Sequence, residues 1–120
     1  MERVKGRAAV ITGAASGIGA GLAQSFSEAG INLLLSDVEE SALEKTKEEL
    51  KKNSNVRVVS RVADVSEASQ VESLAEFAFS EFGAVNILCN NAGVIENNKP
   101  AWEYEMNDWE WVLGINLMGV

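Results

Sequence analysis

Three closely spaced glycines follow a short apolar run near the start of the sequence. The run Ala8–Ile11 leads into Gly13, and Gly17 and Gly19 complete a Gly-x-x-x-Gly-x-Gly spacing. Between a strand and a helix, such glycines allow a tight turn, close approach of a phosphate to the backbone, and close helix–strand packing. A helix beginning near Ile18 would present free N–H groups and its positive dipole end to that phosphate. The loop is therefore predicted to bind a pyrophosphate through its main chain, with a plain strand–helix turn as the alternative.

An acidic residue, Asp37, stands at the end of the second apolar run. A carboxylate at that place can accept hydrogen bonds from both hydroxyls of an adenosine ribose, and its charge would repel a 2'-phosphate. No Arg or Lys lies in the glycine loop or beside Asp37, where Ser16 and Val38 stand. These residues predict NAD as the cofactor in preference to NADP. The alternative is that Asp37 only caps the helix that follows it.

Apolar runs and amphipathic segments alternate along the whole sequence. Strands are predicted at 8–12, 31–36, 56–62 and 85–89. Helices are predicted at 18–29 and 39–52. A third helix should begin at a cap on Ser66 and end at Gly83, and a fourth should begin with a capping box of Asn107 and Glu110. Regular alternation with short connections predicts one α/β domain in which helices cover both faces of a parallel sheet.

The composition argues against several classes of function. The chain has 120 residues, a formal net charge of −8, one cysteine and no histidine. Without histidine, Ser-His-Asp catalysis, Cys-His catalysis and His-ligated metal sites are excluded, and no metal site is predicted. The acidic charge disfavours nucleic acid and anionic membranes as partners, and no apolar run reaches the roughly 20 residues of a membrane helix. The lone Cys89 and the lack of a signal-peptide pattern predict a cytoplasmic location.

The glycine loop and Asp37, together with three further motifs, resemble the short-chain dehydrogenase/reductase family. Asp64 and Val65 resemble its adenine-ring contact, and Asn116 resembles the asparagine of its catalytic tetrad. The run from Asn90 to Gly93 resembles its N-N-A-G motif, which braces the central sheet and flanks the cofactor ribose. The residues that this resemblance implies for cofactor binding are Gly13, Ser16, Gly17, Ile18, Gly19, Asp37, Val38, Asp64, Val65, Asn90, Asn91, Ala92 and Gly93.

The resemblance extends from Arg7 to Val120 and carries expectations about fold and activity. It implies a Rossmann-type doubly wound parallel sheet with strand order 3-2-1-4, incomplete relative to the full family fold. The implied activity is NAD-dependent hydride transfer between nicotinamide and a small alcohol or ketone substrate. An adenosyl-methionine methyltransferase also carries an acid after its second strand, but it has no counterpart of the N-N-A-G motif.

Asn116 falls on an apolar stripe of the last predicted helix. From the residues alone, its amide either bonds to backbone or serves catalysis; in the family it kinks its helix and helps to place a water and a lysine in a proton relay. A second stripe leaves this helix apolar nearly all round, so it should be covered on more than one side. In the family this helix lies at the subunit interface, which implies a homo-oligomer.

In the family, catalysis also requires a particular Ser and a Tyr-x-x-x-Lys pair. The sequence contains no Tyr-x-x-x-Lys, and in the family this motif and the Ser lie beyond the segment that residues 1–120 resemble. The only tyrosine of the sequence, Tyr104, is followed four residues later by Asp108. Residues 1–120 are therefore expected to be the cofactor-binding half of such an enzyme, truncated at its C-terminus, inactive alone and prone to self-association through an unprotected fourth strand. The alternative is a nucleotide-binding or interaction module with no reaction of its own. Trp102 and Tyr104 are expected either to line a substrate entrance or to pack within their loop.

Overall fold

Four parallel strands form a single sheet in a computed structural model, which describes residues 2–95 and 99–120. The strands are β1 (Ala8–Thr12), β2 (Asn32–Asp37), β3 (Val58–Val62) and β4 (Ile87–Cys89). The helices are α1 (Gly17–Glu28), α2 (Glu40–Asn53), α3 (Ala68–Phe82) and α4 (Met106–Asn116). The strand order β3-β2-β1-β4 confirms the predicted doubly wound topology.

The apolar residues of β1 and β2 are buried on both faces of the sheet. Ile11 and Leu35 belong to a core cluster on the side of α1 and α2, whereas Val10 and Leu34 pack with Leu74 of α3 on the other side. Strands covered on both faces need continuous apolar runs rather than an alternating pattern. This is why β1 and β2 could be located from their sequence.

The starts of α3 and α4 differ from the sequence prediction. Ser66 is not the cap of α3, since Glu67 holds that position and the Ser66 N–H and Oγ both bond to Asp64 Oδ1, at 2.9 and 2.6 Å. A capping box does open α4, but Glu105 and Asp108 form it instead of Asn107 and Glu110. An acidic pair with the same three-residue spacing lies two positions earlier and takes over the role.

Helix α4 contains no buried residue. Its large apolar side chains include Trp109, Trp111 and Leu113, which are each between 44% and 46% exposed. The Cα radius of gyration is 15.3 Å, against about 13.6 Å expected for a compact chain of this length. The apolar stripes predicted for this helix are thus left uncovered by the part of the chain that the structure describes.

Candidate cofactor site

A cleft of about 430 Å³ lies at the carboxyl ends of the strands. It opens next to β1, the point where the strand order reverses. β2 and β3 lie on one side of β1, and β4 lies on the other side. Crevices at such a reversal of strand order are where open α/β sheets bind their ligands. Its lining residues are Thr12, Gly13, Ser16, Ile18, Ser36, Asp37, Val38, Glu39, Ala63, Asp64, Val65, Asn91, Ala92, Gly93, Val94 and Ile115.

The residues predicted for cofactor binding fall into three groups. Most of them line the cleft directly. Gly17 and Gly19 belong to the first turn of α1, in the loop at the edge of the cleft. Asn90 lies elsewhere, in an apolar cavity of about 240 Å³ beside α3. The structure therefore brings the motifs together without Asn90.

Two glycines of the loop are required by close backbone approach. Gly13 has a φ of 65°, and a Cβ built on it would stand 2.9 Å from the Ala92 Cα. A Cβ on Gly19 would overlap the carbonyl oxygen of Gly13 and lie 2.6 Å from Asn91 Nδ2. Both positions exclude a side chain, so the loop and the N-N-A-G segment can pack against each other.

The start of α1 is open to a ligand. Gly17 has no heavy atom within 4 Å of the place where a Cβ would stand. The N-cap residue Ser16 makes no side-chain capping hydrogen bond. The first N–H groups of a helix have no partner within that helix, and together with the helix dipole they attract anions. This arrangement suits a pyrophosphate.

The Asp37 carboxylate is held in place by three main-chain N–H groups. Its Oδ2 accepts from Ala15 at 3.0 Å, and its Oδ1 accepts from Val38 at 2.7 Å and Glu39 at 3.2 Å. A carboxylate offers about four lone-pair directions, so capacity remains for a ligand hydroxyl on the cleft side. Asp37 thus lines the cleft and orders the turn before α2, whose N-cap position is held by Glu39, and its bonding to a ribose stays a prediction.

The charged side chains that line the cleft are all acidic. Asp37, Glu39 and Asp64 line it, and no Lys or Arg does so among residues 2–95 and 99–120. Two apolar side chains flank these acids, Ile18 at 77% and Val38 at 56% exposed. This part of the cleft is therefore better suited to hydroxyl groups and to a flat apolar ring than to a further phosphate group in addition to the pyrophosphate.

Asp64 is fixed by the segment that leads into α3. The Asp64 N–H donates to Gln70 Oε1 at 2.8 Å, in addition to the two bonds that its carboxylate accepts from Ser66. The adjacent Val65 packs against Gly119, where an added Cβ would lie 2.8 Å from Val65 Cγ2. The wall of the cleft formed by β3 is thus anchored both to α3 and to the residues after α4.

Thr12 connects the glycine loop to the N-N-A-G segment, a role that the sequence did not reveal. Its Oγ1 accepts from the N–H groups of Asn91 and Ala92 at 3.1 and 3.0 Å, and it donates to the Cys89 carbonyl at 3.4 Å. In return, Asn91 Nδ2 donates to the carbonyls of Thr12 and Gly13 at 3.1 and 3.2 Å. The ends of β1 and β4 are therefore tied together beneath the cleft.

Asn116 bonds to main chain rather than lining the cleft. Its Oδ1 accepts from the Val94 N–H and its Nδ2 donates to the Val94 carbonyl, both at 2.8 Å. The neighbouring Ile115 reaches the cleft itself. Asn116 therefore holds α4 against the segment that follows β4, which is the backbone-bonded alternative raised by its sequence position.

A surface groove of about 480 Å³ lies beside Asn116. Tyr104 and Trp109 line it and meet edge to face, with ring centroids 6.2 Å apart, while Lys99 Nζ lies 5.3 Å from the Tyr104 ring centroid. Trp102 is 84% exposed and lies outside the groove. Tyr104 thus packs within its own segment and also lines an opening, whereas Trp102 is largely exposed.

Cys89 is a partly buried free cysteine of β4. Partial burial raises the pKa of the Cys89 thiol, which lowers the fraction of reactive thiolate at neutral pH.

Within the described ranges, no group of three His, Cys, Asp or Glu side chains could hold a metal ion. No helix in those ranges is both long and apolar enough to cross a bilayer.

Comparison with known proteins identifies the family. Residues 7–120 match the model of the family described as short chain dehydrogenase. The chain belongs to this family. It is 42% identical over 117 residues to the 1-deoxy-11-beta-hydroxypentalenate dehydrogenase of Streptomyces arenae, which covers 89% of this chain and 41% of that protein. It is 41% identical to the 3beta-hydroxysteroid dehydrogenase 2 of Eggerthella lenta, over 96% of this chain and 44% of that protein.

A solved family structure shows the same architecture. A short chain dehydrogenase/reductase from Burkholderia phymatum, crystallised in complex with NAD, superposes with a TM-score of 0.94 at 43% identity. The match covers 99% of this chain and 42% of that one. The chain therefore has the dinucleotide-binding fold of the family and spans about two fifths of the length of these relatives.

Proposed function

We propose that this chain is the cofactor-binding part of an NAD-dependent oxidoreductase that transfers a hydride between nicotinamide and a small alcohol or ketone. The observation that carries the proposal is the meeting of the glycine loop and the Asp37 carboxylate at one cleft. Further support comes from the relatives, which are named as dehydrogenases, and from the Burkholderia phymatum structure, which was solved with NAD.

Each group of residues at the cleft has a proposed part in holding the cofactor. The main-chain N–H groups at the start of α1 bind the pyrophosphate, and Asp37 accepts hydrogen bonds from the ribose hydroxyls. Asp64 and Val65 contact the adenine ring, and the segment 91–93 flanks the ribose. The chemistry that bound NAD supplies is reversible hydride acceptance, whereas the chain supplies binding and orientation.

Asn116 is proposed to position rather than to react. Its two hydrogen bonds to Val94 fix α4 relative to the segment after β4. In the proposed enzyme this would hold the α4 main chain where a proton relay needs it. The Ser, Tyr and Lys of such a relay have no counterpart in these 120 residues.

NAD is proposed in preference to NADP because acids surround the ribose position. Two unit charges about 4 Å apart near a protein surface repel each other by about 4 kcal/mol before salt screening. A 2'-phosphate placed beside Asp37 would meet that repulsion without a cation to offset it. We expect NADH to bind at least about tenfold more tightly than NADPH, as measured by fluorescence titration of the folded chain.

Two variants make this titration specific. Asp37→Asn removes the charge but keeps an acceptor oxygen. It should therefore bring the dissociation constant of NADPH closer to that of NADH, which lowers the ratio of the two. Glu40→Gln removes an equal charge at an exposed position in the first turn of α2 and should leave the ratio unchanged. Tighter binding of NADPH than of NADH by the unmodified chain would refute the proposed preference.

A second candidate function is a nucleotide-binding or interaction module with no reaction of its own. The observation in its favour is that Tyr104 is followed four residues later by Asp108 and not by lysine. Both candidates predict that the pure chain binds NADH without oxidising an alcohol. Turnover by the pure chain would contradict both, and absence of NADH binding by a folded sample would remove both.

Two further expectations belong to the same proposal. The protein is proposed to act in the cytoplasm, as its composition and single cysteine suggested. It is also proposed to form a homo-oligomer through α4, whose exposed tryptophans and leucine would be covered by a second copy.

A further inference from the structure

The glycine loop is held from outside by side chains of two other elements, which meet at one residue. The Ala15 N–H donates to Asp37 Oδ2 at the end of β2, at 3.0 Å. The Ala15 carbonyl accepts from Thr46 Oγ1 on α2, also at 3.0 Å. Ala15 itself is only 9% exposed and belongs to the core cluster on the α1 and α2 side of the sheet. Two successive peptide groups of the loop are therefore fixed by residues distant in sequence.

Thr46 stands on the buried side of an otherwise charged helix. Leu43 and Leu50, one turn away in each direction, are 1% and 7% exposed. A threonine hydroxyl within a helix commonly bonds back to a carbonyl of its own preceding turn. Here the hydroxyl instead bonds to the glycine loop. A valine would fill the same space, so the hydroxyl is explained by this contact and not by packing.

The bond from Thr46 determines the orientation of the peptide between Ala15 and Ser16. In a trans peptide the C=O and the N–H point in opposite directions, and every described peptide bond is trans. Since the Ala15 carbonyl points to α2, the Ser16 N–H points away from α2. Ser16 lines the cleft. A reversed peptide would bring a carbonyl oxygen towards the anion that the loop is proposed to bind.

We propose that Thr46 is a positioning residue for dinucleotide binding, which keeps the Ala15–Ser16 peptide oriented so that the loop presents N–H groups to a pyrophosphate. Asp37 performs the matching task for the preceding peptide, in addition to its place at the ribose. The inference depends on the proposed function only in naming the pyrophosphate. The contact that carries it is a property of the ligand-free chain.

The test compares ligands with and without a pyrophosphate. Thr46→Val keeps the shape and removes the hydroxyl, and Thr46→Ser keeps the hydroxyl. We expect Thr46→Val to weaken binding of NADH and of ADP-ribose by about threefold to tenfold, the range for one lost hydrogen bond. Adenosine, which has the ribose but no phosphate, should change by less than about twofold. Thr46→Ser should bind all three ligands with the affinities of the unmodified chain.

A control variant separates this contact from a general effect on α2. Ser60 Oγ bonds to Glu44 on the same helix at 2.7 Å, away from the loop. Ser60→Ala should therefore leave all three affinities unchanged. An equal loss of affinity for adenosine and NADH in Thr46→Val would mean that Thr46 is merely structural, and unchanged NADH affinity in Thr46→Val would refute the proposal.

Amide hydrogen exchange tests the contact without any ligand. In the free chain, Thr46→Val should speed exchange at Ala15, whose N–H is hydrogen-bonded to Asp37, whereas Thr46→Ser and Ser60→Ala should not. If the unmodified folded chain fails to bind NADH, the proposed function is wrong, and exchange alone then decides whether Thr46 orders the loop. Unchanged exchange in Thr46→Val would overturn the inference in that case too.

Discussion

At the scale of single residues, the Thr12 hydroxyl makes three hydrogen bonds at the site, as many as the Asp37 carboxylate. It satisfies the N–H groups of Asn91 and Ala92 and donates to Cys89, while its residue is only 6% exposed. Removing a buried acceptor leaves its donors unsatisfied, at about 1–3 kcal/mol each. Thr12 therefore contributes to stability through two strand ends at once.

Replacing this hydroxyl should destabilise the fold. We expect Thr12→Val, which keeps the shape of the side chain, to lower the free energy of unfolding by about 2–4 kcal/mol. Thr12→Ser retains the acceptor and should lose less, by at least about 1 kcal/mol. Urea denaturation followed by circular dichroism measures both values. A Thr12→Val variant as stable as the unmodified chain would show that the three hydrogen bonds of the hydroxyl do not contribute to stability.

Residues whose type limits their role could be singled out from the sequence, and their part in cofactor binding stays a prediction. Glycines at a strand–helix turn and an acid after the next strand have few other uses, so Gly13, Gly19 and Asp37 could be picked out. Thr12 and Thr46 could not, because threonine is common in strands and helices and their partners depend on how distant segments meet. For Asn116 the sequence offered two roles, and the observed bonds to Val94 correspond to the backbone-bonded one.

At the scale of elements, α1 provides a matched pair of glycines. A Cβ on Gly19 would overlap the Gly13 carbonyl, whereas Gly21, on the same helix, has nothing within 4 Å of its Cβ position. Helix propensity favours alanine over glycine equally at both positions. The close approach of the loop at the buried Gly19 is therefore the feature that should reverse this preference, since Gly21 is exposed.

Alanine substitutions at these two positions should have opposite effects. We expect Gly21→Ala to raise the free energy of unfolding by about 0.5–1 kcal/mol. Gly19→Ala should lower it by about 1–3 kcal/mol or more, because the loop must move to admit the methyl group. Thermal or urea denaturation distinguishes the two signs. A stabilised Gly19→Ala variant would contradict the tight packing of loop and helix.

The sequence predicted the kind and order of the elements better than their ends. Continuous apolar runs and helical periodicity located the four strands and the four α-helices, and the pattern was clearest for β1 and β2, which are buried on both faces. Helix starts were less certain because several polar residues within a few positions could act as caps. The Ser66 hydroxyl donates to Asp64 instead of capping α3. Glu105 and Asp108 form the capping box that was predicted for Asn107 and Glu110.

At the scale of the whole molecule, large apolar side chains are exposed on the edge strand β4, on α4 and in the residues after α4. Leu88 of β4 is 58% exposed, and Leu117 and Met118 after α4 are 64% and 78% exposed. Leu88 and Val120 line the same apolar cavity, so exposed apolar residues of the edge strand and of the chain after α4 lie near each other. A surface of this kind favours association.

The chain on its own should therefore self-associate. We expect the mass measured by light scattering to rise with protein concentration. Leu113→Gln should reduce this rise, whereas Glu110→Gln on the same helix should not, because only the first removes exposed apolar area. A monodisperse monomer at high concentration would contradict the proposed role of α4 as an interface.

The cleft at the carboxyl ends of the strands is proposed to bind NAD, and a map of amide chemical shifts on addition of NADH tests this binding residue by residue. We predict that shifts concentrate at residues 13–19, 37–38, 64–65 and 91–93. The groove between α1 and α2, around Gln24 and Glu49, serves as an internal control and should not respond. A folded chain whose spectrum stays unchanged, or whose shifts cluster in that groove, would contradict the account.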